Sequence, residues 1–96
     1  MTDRKTLFIT GASSGIGAAT ARAAVAAGWN VGLMARSEGK LAGLQDELGV
    51  ACHVIPGDAT NLEAQEAAVT ATVETFGGLH AAFANAGTGL DTPGTE

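Results

Sequence analysis

The sequence contains no tyrosine, one cysteine, two prolines and only five lysine or arginine residues among 96. Each shortage excludes something. A lone Cys52 cannot close an internal disulfide, so a reducing compartment, with the cytoplasm as default, is expected. Only Arg4 and Lys5 are neighbouring basic residues, and the formal net charge is −5. That leaves no basic surface for nucleic acid or an anionic membrane. No apolar run is long enough to span a bilayer. The few residues between Lys5 and Gly11 are too short for the apolar core of a secretory signal. Without tyrosine, one of the side chains that donate protons in catalysis is missing. Aromatic residues are limited to Phe8, Trp29, Phe76 and Phe83.

What is present suits one modest globular domain. Hydrophobic residues make up 46% of the chain, which is too many for compositional disorder, although much of that share is alanine. Short apolar runs at residues 5–10, 29–35, 50–55 and 79–84 read as four strands. Between them lie three helical stretches. The first spans residues 14–27 and stops at Gly28. The second follows Ser37 as N-cap and runs to about residue 48, with Leu41, Leu44 and Leu48 on one stripe and Gly49 at its end. The third is capped by Thr60 or Asn61 and stopped by Gly77-Gly78, with Leu62, Val69, Val73 and Phe76 on roughly one face. The alternation β-α-β-α-β-α-β predicts an α/β, Rossmann-like parallel sheet in the order 3-2-1-4, the first part of a doubly wound fold. Ligands of such sheets bind at the switch point, here between the first and fourth strands.

Residues 10–17, Thr-Gly-Ala-Ser-Ser-Gly-Ile-Gly, join the first strand to the first helix. Glycines permit a tight turn and let backbone N–H groups approach an anion closely. The following helix aims its unpaired N–H groups and positive dipole end the same way. Gly11, Gly15 and Gly17 give T-G-x-x-x-G-x-G, not the commoner G-x-G-x-x-G. Gly57-Asp58-Ala59 follows the third apolar run and Asn85-Ala86-Gly87 the fourth. In this order and spacing, the three motifs resemble those of the short-chain dehydrogenase/reductase family, over residues 4–90.

The resemblance implies nicotinamide dinucleotide binding. Gly11 would turn the first strand beneath the adenosine end, and Gly15 and Gly17 would admit the pyrophosphate. Ser13 and Ser14 would add donors, and Ile16 its backbone N–H. Asp58 would accept from the adenine amino group, assisted by the backbone of Ala59; an N-cap for the third helix is the competing role. Asn85, Ala86 and Gly87 would line the ribose side, with Ala84 where the family often has a second Asn. His80 stands where the family often has Asp.

Cofactor choice is read from Arg36. NAD sites place an acidic residue about 20 residues past the glycine motif to hold the ribose hydroxyls. Ala35 and Arg36 stand there instead, and a guanidinium suits a 2′-phosphate. NADP(H) is therefore expected and NAD disfavoured. Lys40 reads as solvent-exposed, with support of the phosphate as its alternative role, Cys52 as core, and Glu63, Glu66 and Glu74 as a solvated helix face. His53 and His80 lack metal-ligand spacing, so no metal site is expected.

No catalytic residue is assigned. The family uses a Tyr, a Lys four residues on and a Ser, all on elements beyond the fourth strand. The chain is thus expected to be the N-terminal part of a longer carbonyl or alcohol oxidoreductase: a natural fragment, a truncated reading frame or a deliberately shortened chain. Residues 1–90 would be the NADP(H)-binding segment and residues 91–96 a loop or truncation point. A small-molecule substrate would belong only to the full-length parent. A non-catalytic NADP(H)-binding or sensing module is the alternative. With a single helix on one face and the fourth strand at an edge, marginal stability and self-association through that strand are also expected.

Overall fold

A computed structural model describes residues 4–11, 15–58 and 60–84. Four strands, β1 (Thr6–Thr10), β2 (Asn30–Ala35), β3 (Cys52–Pro56) and β4 (Ala81–Ala84), pair in parallel in the order β3-β2-β1-β4. Three helices, α1 (Gly15–Ala26), α2 (Glu38–Leu48) and α3 (Leu62–Phe76), alternate with them. The expected α/β, Rossmann-like order 3-2-1-4 is the order observed.

Strand alternation divides the core into two layers. Ile9, Val31, Leu33, Ala35 and Cys52 point toward Ala18 and Ala21 of α1 and Leu41 and Leu44 of α2. Phe8 and Met34 point the other way, toward Ala68 of α3, with Ile55, Ala64, Val69 and Leu79 around them. Ile9, Leu33 and Leu41 are wholly buried, and each such side chain contributes about 1.5–3 kcal/mol. On α1 the buried positions are Gly17, Ala18 and Ala21, small residues that let the helix lie close to the sheet.

Side chains and glycines end the helices where the sequence indicates. The Ser37 hydroxyl accepts from the Lys40 amide at 3.4 Å and the Asn61 side-chain Oδ1 from the Ala64 amide at 3.0 Å. Of the two cap candidates for α3, Asn61 is the one used, a contact worth about 1 kcal/mol. Gly77 closes α3 with φ 87° and donates to the Val73 carbonyl at 2.7 Å. That left-handed conformation is one a side chain would resist.

Three expectations need correction. The third strand starts at Cys52, because Gly49–Ala51 forms a 3-10 turn that leaves Val50 98% exposed. β4 starts at Ala81, with Leu79 half-buried in the second core layer ahead of it. The apolar stripe expected on α3 is only partly the face it buries: Ala68 and Thr72 face inward with Val69 beside them, whereas Leu62 is 67% and Val73 37% exposed. The reason lies across the sheet. Gly32 has no side chain, and Thr72 packs directly over it. A helix that close to the sheet can present only small residues to it.

Cys52 lies in the first core layer, 4% exposed. Burial pushes its thiol up to about 11 from 9.0, because the thiolate loses hydration there. The folded chain is therefore expected to alkylate far more slowly at pH 8 than the same chain in denaturant, as a thiol-reactive dye would report. Equal rates would show that Cys52 is not enclosed. The sign for stability follows: the raised folded value favours the folded state fully below pH 9.0, and that contribution is lost between there and about pH 11.

Candidate functional site

Parallel pairing brings the C-terminal ends of all four strands to one rim, with Thr10 level with Met34 and Ala84, and Ala35 with Pro56. The ladder continues one residue past the strands. The Gly11 amide donates to the Met34 carbonyl and the Gly57 amide to the Ala35 carbonyl, each at 2.8 Å. The turns after β1, β2 and β3 are thereby tied at one level.

Gly11 and Gly15 have φ of 68° and 37°, the left-handed side that glycine tolerates best. They bring the chain from β1 into α1. Ile16, in the first turn of α1, is 67% exposed at this rim, and Gly17 is buried beneath it. Ser13, Ser14, Ala59, Asn85, Ala86 and Gly87, also expected in the site, lie outside the described residues.

Beyond β2 and β3 the structure brings Arg36 and Asp58 together. Arg36 Nε stands 4.0 Å from Asp58 Oδ1, with side-chain exposures of 78% and 47%. Such an open pair adds little stability, so the guanidinium is not committed to it. Asp58 is not the cap of α3, since Asn61 fills that position. Its Oδ1 instead accepts from the Thr60 amide at 2.9 Å and the Thr60 hydroxyl at 2.7 Å. Those two bonds, with a smaller contribution from the Arg36 charge, hold the carboxyl below its ordinary value. Asp58 is thus ionised near neutrality and able to accept.

Two residues acquire roles that the sequence reading had not assigned. Thr60 is the partner of Asp58, and its spacing of two is a common local pattern for an Asp that bonds its own backbone. At the opposite rim, His80 Nδ1 accepts from the Thr6 amide at 3.0 Å while the His80 amide donates to the Thr6 carbonyl at 2.9 Å. This ring of two bonds starts the β1–β4 pairing. An imidazole nitrogen and a carboxylate both accept an amide proton, which explains how His serves where Asp is frequent. His80 is therefore part of the scaffold and lies away from the site.

Among the described residues, no three His, Cys, Asp or Glu side chains come together as a metal site. No helix among them is long and apolar enough to cross a membrane.

The rim, the glycine turn and the arginine–aspartate pair coincide with a match of residues 5–96 to the short chain dehydrogenase family. The chain belongs to that family. It is 42% identical over 87 residues to a serine 3-dehydrogenase of Agrobacterium fabrum, covering 91% of this chain and 35% of that protein. It is 49% identical over 92 residues to an A-factor type gamma-butyrolactone 1′-reductase of Streptomyces virginiae, covering 86% of this chain and 36% of the relative. The chain therefore spans about a third of the length of these short-chain dehydrogenase relatives. Among solved structures, a 3-ketoacyl-(acyl-carrier-protein) reductase of Brucella melitensis complexed with NADH superposes with TM-score 0.78 at 28% identity, over 81% of this chain and 32% of that one. The actinorhodin polyketide ketoreductase with NADPH gives 0.82 at 34% identity, over 90% and 34%. Short-chain dehydrogenases resembling this chain thus carry either nicotinamide cofactor.

Proposed function

We propose that this chain is the NADP(H)-binding part of a carbonyl or alcohol oxidoreductase of the short-chain dehydrogenase family. The observation that carries the reading is Arg36 at the end of β2, where its guanidinium is 78% exposed and held by Asp58 only at 4.0 Å. An uncommitted guanidinium at this rim fits a 2′-phosphate in a forked geometry. The glycine turn, with positive φ at Gly11 and Gly15, fits the close approach of a pyrophosphate to backbone N–H groups. Asp58, ionised and not used as a cap, fits an amino donor such as that of adenine. Ser13, Ser14, Ile16 and Gly17 complete the phosphate side of the proposal, and Ala59, Asn85, Ala86 and Gly87 the adenosine and ribose side.

When bound, the dinucleotide supplies a hydride. The residues of this chain bind and orient it. They include no tyrosine to protonate a carbonyl oxygen, so cofactor binding without turnover is the expected behaviour of these 96 residues. The substrate belongs to the parent oxidoreductase. A reducing, cytoplasmic compartment is part of the reading. So is self-association along β4, an edge strand of the described sheet, whose Ala81, Ala82 and Ala84 are exposed.

A thermal melt with and without NADP⁺, with NAD⁺ as control, tests the proposal. A ligand that binds only the folded state must raise its stability, by about 2.7 kcal/mol at a hundred times its Kd. The expected result is a cooperative transition raised more by NADP⁺ than by NAD⁺ and dependent on protein concentration. A transition that neither cofactor moves would refute binding, and one independent of concentration would refute self-association.

A further inference from the structure

We propose that Thr60 is a positioning residue for the adenine end of the cofactor, acting through Asp58. The inference rests on the proposed dinucleotide site and deepens it. A carboxylate on an exposed loop rotates freely and presents either oxygen to a ligand. Asp58 does not have that freedom. Both Thr60 donors converge on Oδ1, the amide at 2.9 Å and the hydroxyl at 2.7 Å, and the Asp58 carbonyl accepts from the Asn61 amide at 2.9 Å. The side chain and its own backbone are thus pinned together between β3 and α3.

The pinning divides the work among neighbouring residues. Asn61 alone serves the helix end, through the Ala64 amide. Arg36 approaches Oδ1 only to 4.0 Å. Among the described residues no donor is placed on Oδ2. Oδ1 is therefore the oxygen held by Thr60, and among the described residues Oδ2 is the one left for an N–H donor from the ligand. Without the Thr60 hydroxyl, the ligand itself would have to order the carboxylate, and that ordering costs affinity.

The test compares NADP⁺ with its hypoxanthine counterpart, in which a carbonyl acceptor replaces the exocyclic amino donor. Titration calorimetry on the full chain, with Thr60→Val and Thr60→Ser, reads the dissociation constants. Valine keeps the shape of threonine and the backbone donor and loses only the hydroxyl. Thr60→Val is expected to weaken NADP⁺ about five-fold, the scale of one exposed hydrogen bond to a charged acceptor. It should shift the hypoxanthine dinucleotide by less than about two-fold, since that ligand has no amino proton to offer. Thr60→Ser should restore NADP⁺ binding. Equal weakening of both dinucleotides would reduce Thr60 to a structural residue and overturn the proposal, as would no weakening of either. Failure of the unsubstituted chain to bind either dinucleotide would overturn the cofactor reading, and this inference with it. Circular dichroism of each variant separates lost binding from lost folding, and an unfolded valine variant beside a folded, fully binding serine variant would also assign Thr60 to folding alone.

Discussion

Replacing Arg36 with Asp is expected to reverse the cofactor preference, weakening NADP⁺ by about ten- to a hundred-fold and strengthening NAD⁺ relative to it. The magnitude follows from the charges involved. A 2′-phosphate carries close to two negative charges, and a guanidinium can meet two of its oxygens at once. The substitution removes that fork and puts a like charge in its place. The new carboxylate would also stand near Asp58, whose Oδ1 now lies 4.0 Å from Arg36 Nε. Asp58 would lose the favourable Arg36 contribution to its ionised form. The site is open, so salt should screen the effect, and the difference between variants should shrink as ionic strength rises. Titration with both cofactors at two salt concentrations measures it. Discrimination left unchanged by Arg36→Asp would mean that this residue does not read the 2′-phosphate.

Adding one methyl group at Gly32 is expected to be the most damaging small change in the fold. Gly32 lies in the middle of β2, paired with Phe8 of β1 and His53 of β3. A Cβ there would come within 3.0 Å of Oγ1, Cγ2 and Cβ of Thr72. Thr72 cannot swing aside. It is wholly buried, and its hydroxyl donates to the Ala68 carbonyl at 2.9 Å. Either α3 must lift from the sheet or β2 must bend, and overpacking of this kind costs about 1–3 kcal/mol. For a small domain with few kilocalories to lose, that could abolish the cooperative transition. The clash predicts its own relief. Thr72→Ala removes Oγ1 and Cγ2, so the double variant should be more stable than Gly32→Ala alone, and the two effects should not add. Additive losses in denaturant midpoints would show that α3 does not sit where the structure puts it. Gly57 offers the contrast: among the described residues a Cβ there meets the Met34 methyl at 3.0 Å, the movable tip of a flexible side chain.

The amino-acid sequence alone determined the strand–helix alternation, the sheet order, most helix ends and the glycine turn, because these depend on short-range properties. Ser37 caps α2 and Gly77 stops α3 through backbone groups within four residues. Short crossovers between parallel neighbours set β1, β2 and β3 side by side, and the chain then crosses back to place β4 on the other side of β1, as in a doubly wound sheet. Contacts between distant residues were settled only in three dimensions. The sequence left Asp58 divided between capping α3 and serving a ligand; the structure assigns the cap to Asn61 and pins Asp58 with Thr60. Arg36 and Asp58 are 22 positions apart, and only the pairing of β2 with β3 brings them within 4.0 Å. His80 had no legible role until β4 lay beside β1 and its ring met the Thr6 amide. The inward face of α3 was misjudged because hydrophobicity favours Leu62 and Val73, whereas close packing over a bare glycine favours Ala68 and Thr72. Periodicity tells which residues share a face of a helix, but the shape of the opposing surface decides which face is buried.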